Sequence, residues 1–172
     1  MTEIPVSVLA EVLDTECPEG LRGRSAGGVS IDSRTVRKGE AFFAITGSSF
    51  DGHDFTAKAL KAGAECAVAE KALSGLEDYV LRVADTVSAL GRLAAWYRKQ
   101  NSFSVVGITG SAGKTTVREM IYHVLKGRLK CCQSPANYNN HLGLPLTVLN
   151  ASGTDDAVIA ELGTSGPGEI RH

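Results

Sequence analysis

No stretch of this 172-residue sequence approaches the ~20 consecutive apolar residues that a membrane-spanning helix needs. The start, Met1-Thr2-Glu3-Ile4-Pro5, lacks the basic residues and apolar run of a secretory leader, so a cytoplasmic location is expected. Charge of one sign is also lacking. The net charge is −1, which argues against a generic nucleic-acid or polyanion binder. Cys17, Cys66, Cys131 and Cys132 form no C-x-x-C pair and no metal-ligand spacing, and they read as buried free thiols of a reducing compartment. Repeats and low-complexity tracts are absent. What remains is 43% apolar, 22% charged and 6% aromatic, the composition of a globular protein with one ordinary domain or two small ones.

The charge is unevenly spread. Residues 1–83 carry a net −4 and residues 84–172 a net +3, so the second part is better suited to an anionic ligand. Periodicity alternates strands with helices, which predicts an α/β fold. A helix is expected over Ile4–Leu13 with Pro5 in its first turn, and strands over Val29–Ile31, Ala41–Ile45, Cys66–Ala69 and Tyr79–Val83. A Gly/Ser/Asp-rich loop spans 46–54, a helix follows over Thr56–Ala62, and a longer one over Val87–Lys99 is capped by Asp85 or Thr86. A domain boundary is placed near Val83-Ala84.

The densest chemistry lies in Ser104-Val105-Val106-Gly107-Ile108-Thr109-Gly110-Ser111-Ala112-Gly113-Lys114-Thr115-Thr116. A β-rich run enters a glycine loop, and the helical pattern Val117, Met120, Ile121, Val124, Leu125 leaves it. Phosphate binding needs that order: glycines let backbone N–H groups approach phosphate oxygens, and the helix start supplies partial positive charge. In this pattern Lys114 reaches the β- and γ-phosphates and the Thr115 hydroxyl is an Mg²⁺ ligand. Ile108 stands where a strict P-loop has its first glycine. Downstream, Asp156–Glu161 reads as an apolar strand ending in a carboxylate, where P-loop proteins place a group that organises Mg²⁺. Between them, Asn137-Tyr138-Asn139-Asn140-His141-Leu142-Gly143 fits both helix capping and ligand contact. His53, in a Gly/Asp loop, has a better claim to a ligand than His141, a surface or capping residue, or His123, expected to be structural.

These motifs together resemble the Mur ligase family of peptidoglycan synthesis. The loop Thr109–Thr116, with its non-glycine residue at 108, is similar to the family's ATP motif. Ser30-Ile31-Asp32-Ser33-Arg34, Gly39–Ile45 and Asp51-Gly52-His53-Asp54-Phe55 resemble its UDP-binding N-terminal domain. Asn137–Thr147 and Glu161–Ile170 resemble the branch that adds D-alanyl-D-alanine to UDP-N-acetylmuramoyl tripeptide, rather than the branch that adds a diamino acid.

The resemblance implies a UDP-substrate-binding domain over 1–83 and the opening part of a central ATP-binding domain over 84–172. The rest of that domain and a C-terminal one would be missing, so the isolated chain is expected to be an incompetent ligase. It implies that Gly110, Ser111, Ala112, Gly113, Lys114, Thr115, Thr116, Asn139 and Asn140 bind ATP. Thr115 and Glu161 would hold Mg²⁺, and Lys114 and Glu161 would be catalytic. Asp32, Ser33, Arg34, Thr46, Gly47 and His53 would hold the uridine diphosphate, with Arg34 facing the diphosphate unless it is spent on a surface ion pair. Ser165-Gly166 departs from the Asn-His that family members often carry there. A nucleotide switch is disfavoured, because Asn-Lys-x-Asp and Asp-x-x-Gly do not occur. A stand-alone UDP-sugar-binding module remains as a competing reading.

Overall fold

The computed structural model describes residues 1–135 and 138–163, and the chain divides by contact into Met1–Leu93 and Ala94–His172. In the first unit, β1 (Ile4–Pro5) pairs antiparallel with β2 (Ser25–Ala26), and α1 (Val6–Leu13) follows β1 directly. The helix therefore starts two residues later than expected, and Pro5 precedes it as its cap rather than lying in its first turn. A proline carries no N–H to lose at a helix start, so either place suits it.

Four parallel strands make the main sheet, in the order β3 (Gly28–Ser30), β4 (Glu40–Phe43), β5 (Cys66–Ala69), β6 (Val80–Arg82). The two inner strands are buried almost throughout, which is why Ala41-Phe42-Phe43 and Cys66–Ala69 read as continuous apolar runs without alternation. Burying Phe42 and Phe43 contributes about 1.5–3 kcal/mol each. Between β4 and β5, α2 (Thr56–Lys61) packs Ala59 against Phe42, Ala67 and Ala69.

The helix α3 (Thr86–Gln100) runs across the division, whereas the sequence places a boundary ahead of it. Its two halves serve different units. Thr86 Oγ1 donates to Ala44 O and Arg92 to Leu13 O, while the Tyr97 hydroxyl donates to Ala151 O at 2.9 Å. Asp85 provides the cap, its Oδ1 taking the Ser88 N–H.

The second unit holds β7 (Ser104–Ile108), α4 (Lys114–Leu125), β8 (Cys131–Gln133), α5 (Gly143–Asn150) and β9 (Ala157–Glu161). Its described strands are all parallel in the order β7-β9-β8, so the last strand is the central one and is buried along its length. The register pairs Ile108 with Glu161, which brings the glycine loop and the acidic strand end to the same edge of the sheet.

One expectation needs correction. Only Cys66 among the four thiols is buried; the others are half-buried, because β8 and the Cys17 turn lie at the periphery. None forms a disulfide among the described residues, and burial pushes the Cys66 thiol up to about 12. The apolar positions that mark α4 in the sequence do not form a buried face. Met120 is 62% and Val124 73% exposed, and His123 is exposed beside them. Among the described residues no helix is long and apolar enough to cross a membrane. The Ser165-Gly166 departure lies outside the described residues.

Candidate functional site

Parallel sheets gather ligands at the carboxyl ends of their strands, and in each unit the motif-bearing loops lie there. In the second unit the chain leaves β7 into residues 109–113 and enters α4 through Gly113, whose φ of +77° suits a residue without a Cβ. The first N–H groups of α4 have no intrahelical partner, and the Val117 N–H bonds to the Gly113 carbonyl as the ladder begins. Gly110, Ser111, Ala112 and Thr116 lie exposed around this opening. Lys114 Nζ donates to the Gly110 carbonyl at 2.8 Å, folding its ammonium over the loop.

Glu161, the last residue of β9, is only 5% exposed. Its Oε2 accepts from the Thr115 hydroxyl at 2.9 Å and its Oε1 from the Asn139 amide at 3.1 Å. Its backbone N–H is held by the Ser134 hydroxyl. Arg118, from the next turn of α4, places Nη1 3.6 Å from Oε2. Burial acts to raise the Glu161 carboxyl, but the Asn139 and Thr115 donors with the Arg118 and Lys114 charges outweigh it and hold it below the usual glutamate range. Glu161 is thus a fixed, ionised acceptor facing the loop. Asn140 acts differently. Its Oδ1 takes the Leu142 and Gly143 N–H groups at the start of α5, so of the asparagines open to capping or ligand contact, this one caps.

Could Thr115 and Glu161 hold a divalent cation? Because the Thr115 hydroxyl spends its hydrogen on Glu161, its lone pairs stay free for a metal. Among the described residues no three His, Cys, Asp or Glu side chains cluster as a cage. One carboxylate plus one hydroxyl suits Mg²⁺, which keeps several waters and takes phosphate oxygens. The donor set fits.

In the first unit, the connections leaving β3 and β4 are neighbours at the carboxyl edge of the sheet. Asp32 takes the Arg34 guanidinium in a two-pronged pair at 2.7 and 2.9 Å, and the Arg34 N–H as well. These bonds, the side-chain pair first, lower the Asp32 carboxyl to about 2. Arg34 is itself exposed, so the ion pair holds it at the surface of this loop. Ser33 is buried beside it. In the second loop Thr46 bridges to Asp51, and Gly47 N–H donates to Phe50 O. Gly52 has to be glycine, because a Cβ there would stand 2.6 Å from the Ile45 backbone.

His53 differs from the expectation of a ligand-facing residue. It is 5% exposed, with Nδ1 on Asp51 and Nε2 accepting the Glu70 N–H at 2.9 Å. Both nitrogens are consumed inside the protein, so the ring ties down the loop. Asp51, Lys71 and Glu70 complete the tie: Asp51 binds Lys71, and Glu70 accepts from the Thr86 N–H and hydroxyl. The Lys71 bond, then the His53 N–H and ring, keep the Asp51 carboxyl well below the usual aspartate range. Sequence patterns do not single out Arg118, Glu70, Lys71 or Ser134. Asp-Gly-His at 51–53 is the available signal for the tie; nothing local marks Arg118.

Two family models match in succession: the Mur ligase family catalytic domain over residues 26–98 and the Mur ligase middle domain over 108–172. The chain belongs to the Mur ligase family. Among curated Mur ligases, it is 39% identical to the UDP-N-acetylmuramoyl-tripeptide--D-alanyl-D-alanine ligase of Synechocystis, over 83% of this chain and 32% of that protein. It is 36% identical to the Escherichia coli enzyme of the same name, over 99% of this chain and 37% of that one. A crystal structure of MurF from Acinetobacter baumannii superposes with a TM-score of 0.87 at 32% identity, covering 98% of this chain and 37% of that one. MurF from Thermotoga maritima, solved in complex with ADP, gives 0.74 at 38% identity, covering 83% and 33%. The chain spans about a third of the length of the Mur ligases it matches.

Proposed function

We propose that this chain supplies the UDP-substrate unit and the nucleotide loop of an ATP-dependent ligase. That ligase joins D-alanyl-D-alanine to UDP-N-acetylmuramoyl tripeptide in the cytoplasm. The observation that carries the reading is the convergence of Lys114, Thr115, Asn139 and Glu161 at one sheet edge, with Thr115 and Glu161 in direct hydrogen bond. The relatives that carry this activity by name match both units. The domain division at 83/84 belongs to the same proposal, with uridine diphosphate held ahead of it and ATP after it.

In this reading the tripeptide carboxylate attacks the γ-phosphorus of ATP and ADP leaves. The amine of D-alanyl-D-alanine then displaces phosphate from the acyl phosphate. The loop N–H groups bind phosphate oxygens, and Lys114 exchanges the Gly110 carbonyl for the transferring phosphoryl group, countering its charge. Thr115 and Glu161 would hold Mg²⁺, which would supply neutralisation of the phosphate charge. Asn139 keeps the Glu161 carboxylate turned toward Thr115. Asp32, Ser33, Arg34, Thr46 and Gly47 form the uridine-diphosphate end, and His53 serves it by fixing the loop.

The experiment is Lys114→Ala in the full-length polypeptide. Turnover should fall by at least about 10²-fold, the scale for removing one preorganised charge-stabilising donor. Affinity for the UDP-linked substrate should stay within about twofold. Retained turnover would refute the role of the loop, and joint loss of substrate affinity would refute the division of labour.

A further inference from the structure

The helix that leaves the nucleotide loop buries one side chain, and that side chain is charged. Arg118 is 3% exposed, whereas Val117, Met120 and Val124 of the same helix stand in solvent. A buried guanidinium is costly unless its charge is paired and its donors are met. Nη2 donates to Glu119 at 2.6 Å, but Glu119 is half exposed. Nε and Nη1 have no hydrogen-bond partner among the described residues. Nη1 does lie 3.6 Å from Glu161 Oε2, the oxygen that takes the Thr115 hydroxyl.

Glu119 alone does not account for the burial, since it could pair equally well with an arginine left in solvent. Glu161 is the other anion at hand, and it is as buried as the arginine. Its two oxygens are otherwise held by neutral donors, Thr115 and Asn139, on separate segments. Arg118 follows Lys114 by four residues and so lies on the same side of α4. One helix register then sets the ammonium over the glycine loop and the guanidinium beside Glu161.

Resting on the ligase reading above, we infer that Arg118 is a positioning residue. It holds the Glu161 carboxylate so that its oxygens stay between Thr115 and Asn139 for the divalent cation that accompanies the nucleotide. Arg118 acts through Glu161. Its signature is therefore the coupling between metal and nucleotide rather than nucleotide affinity alone.

The test titrates the full-length polypeptide with ADP, with and without Mg²⁺, by calorimetry. Native protein should bind ADP more tightly when Mg²⁺ is present. Arg118→Met should reduce that gain by about 10-fold or more, the scale for removing a group that orients a metal ligand. Its metal-free ADP affinity should stay within about twofold. Arg118→Lys should recover most of the gain, and Glu119→Gln should keep it. Equal weakening with and without Mg²⁺, or an undiminished gain in folded Arg118→Met, overturns the inference. So does Glu119→Gln behaving like Arg118→Met. If Arg118→Met does not fold, Arg118→Gln, which keeps length and amide donors without charge, is read by the same criteria. A native protein that binds no ADP overturns the ligase reading itself.

Discussion

Replacing His53 by alanine separates two kinds of histidine by experiment. The ring is buried and makes two bonds, Nδ1 to Asp51 and Nε2 from the Glu70 N–H. Alanine leaves that N–H facing a void, at about 1–3 kcal/mol for an orphaned buried donor. Loss of the ring's packing adds about 2 kcal/mol, the lower end for a large side chain cut to alanine. The sum is about 3–5 kcal/mol, large against the total stability of a small unit. Thermal unfolding followed by circular dichroism should show a fall in Tm of more than about 10 °C. Under the proposed function, UDP-substrate affinity should fall with it, since the 46–52 loop loses its anchor. A variant that loses that affinity while its Tm moves by less than about 3 °C would refute the reasoning. The ring would then act by touching the ligand.

Two further outcomes follow from the same hydrogen-bond geometry. Tyr97→Phe removes the hydroxyl that satisfies the buried Ala151 carbonyl and should cost about 1–2 kcal/mol in urea unfolding, with a midpoint shift and an unchanged m value. Asp32→Asn should cost no more than about 1 kcal/mol at pH 7, because Arg34 is solvent-exposed and the pair is screened. The folded carboxyl, at about 2, lies below its unfolded value, so the stabilisation is present above about pH 4. It is lost as pH falls through 2, and the stability curves of native and Asp32→Asn protein should converge there in acid titration.

Elements whose burial is uniform are legible in the amino-acid order alone. Cys66–Ala69 and Ala157–Glu161 are apolar runs, the second ending in its carboxylate, and they are β5 and β9, buried at every position. The glycine loop and the carboxylate ending β9 are legible because phosphate chemistry restricts residue type and order. The β1–β2 ribbon is not, since two-residue strands have no period to detect. Helical periodicity marks α4, but periodicity names a face without saying whether anything covers it, and Met120 and Val124 are exposed. Arg118 is invisible for the converse reason: a charged residue mid-helix is ordinarily solvated, and only the position of Glu161 across the fold explains its burial. His53 misleads because a Gly/Asp loop suggests access, while the ring turns inward to the Glu70 backbone.

The tie formed by Asp51, His53, Glu70 and Thr86 makes the 46–53 loop an attractive place to vary. Both ends are pinned, at the Thr46–Asp51 bridge and at the Gly52 N–H on Ile45 O, while Ser48, Ser49 and Phe50 lie at the exposed tip. Insertions at that tip would leave the anchors in register, and doubling a flexible loop costs only about 0.6 kcal/mol in closure entropy. A library randomised over 48–50, with 51–53 kept intact, would sample new ligand contacts on an unchanged base. The same substitutions two residues further along would unfasten the base itself.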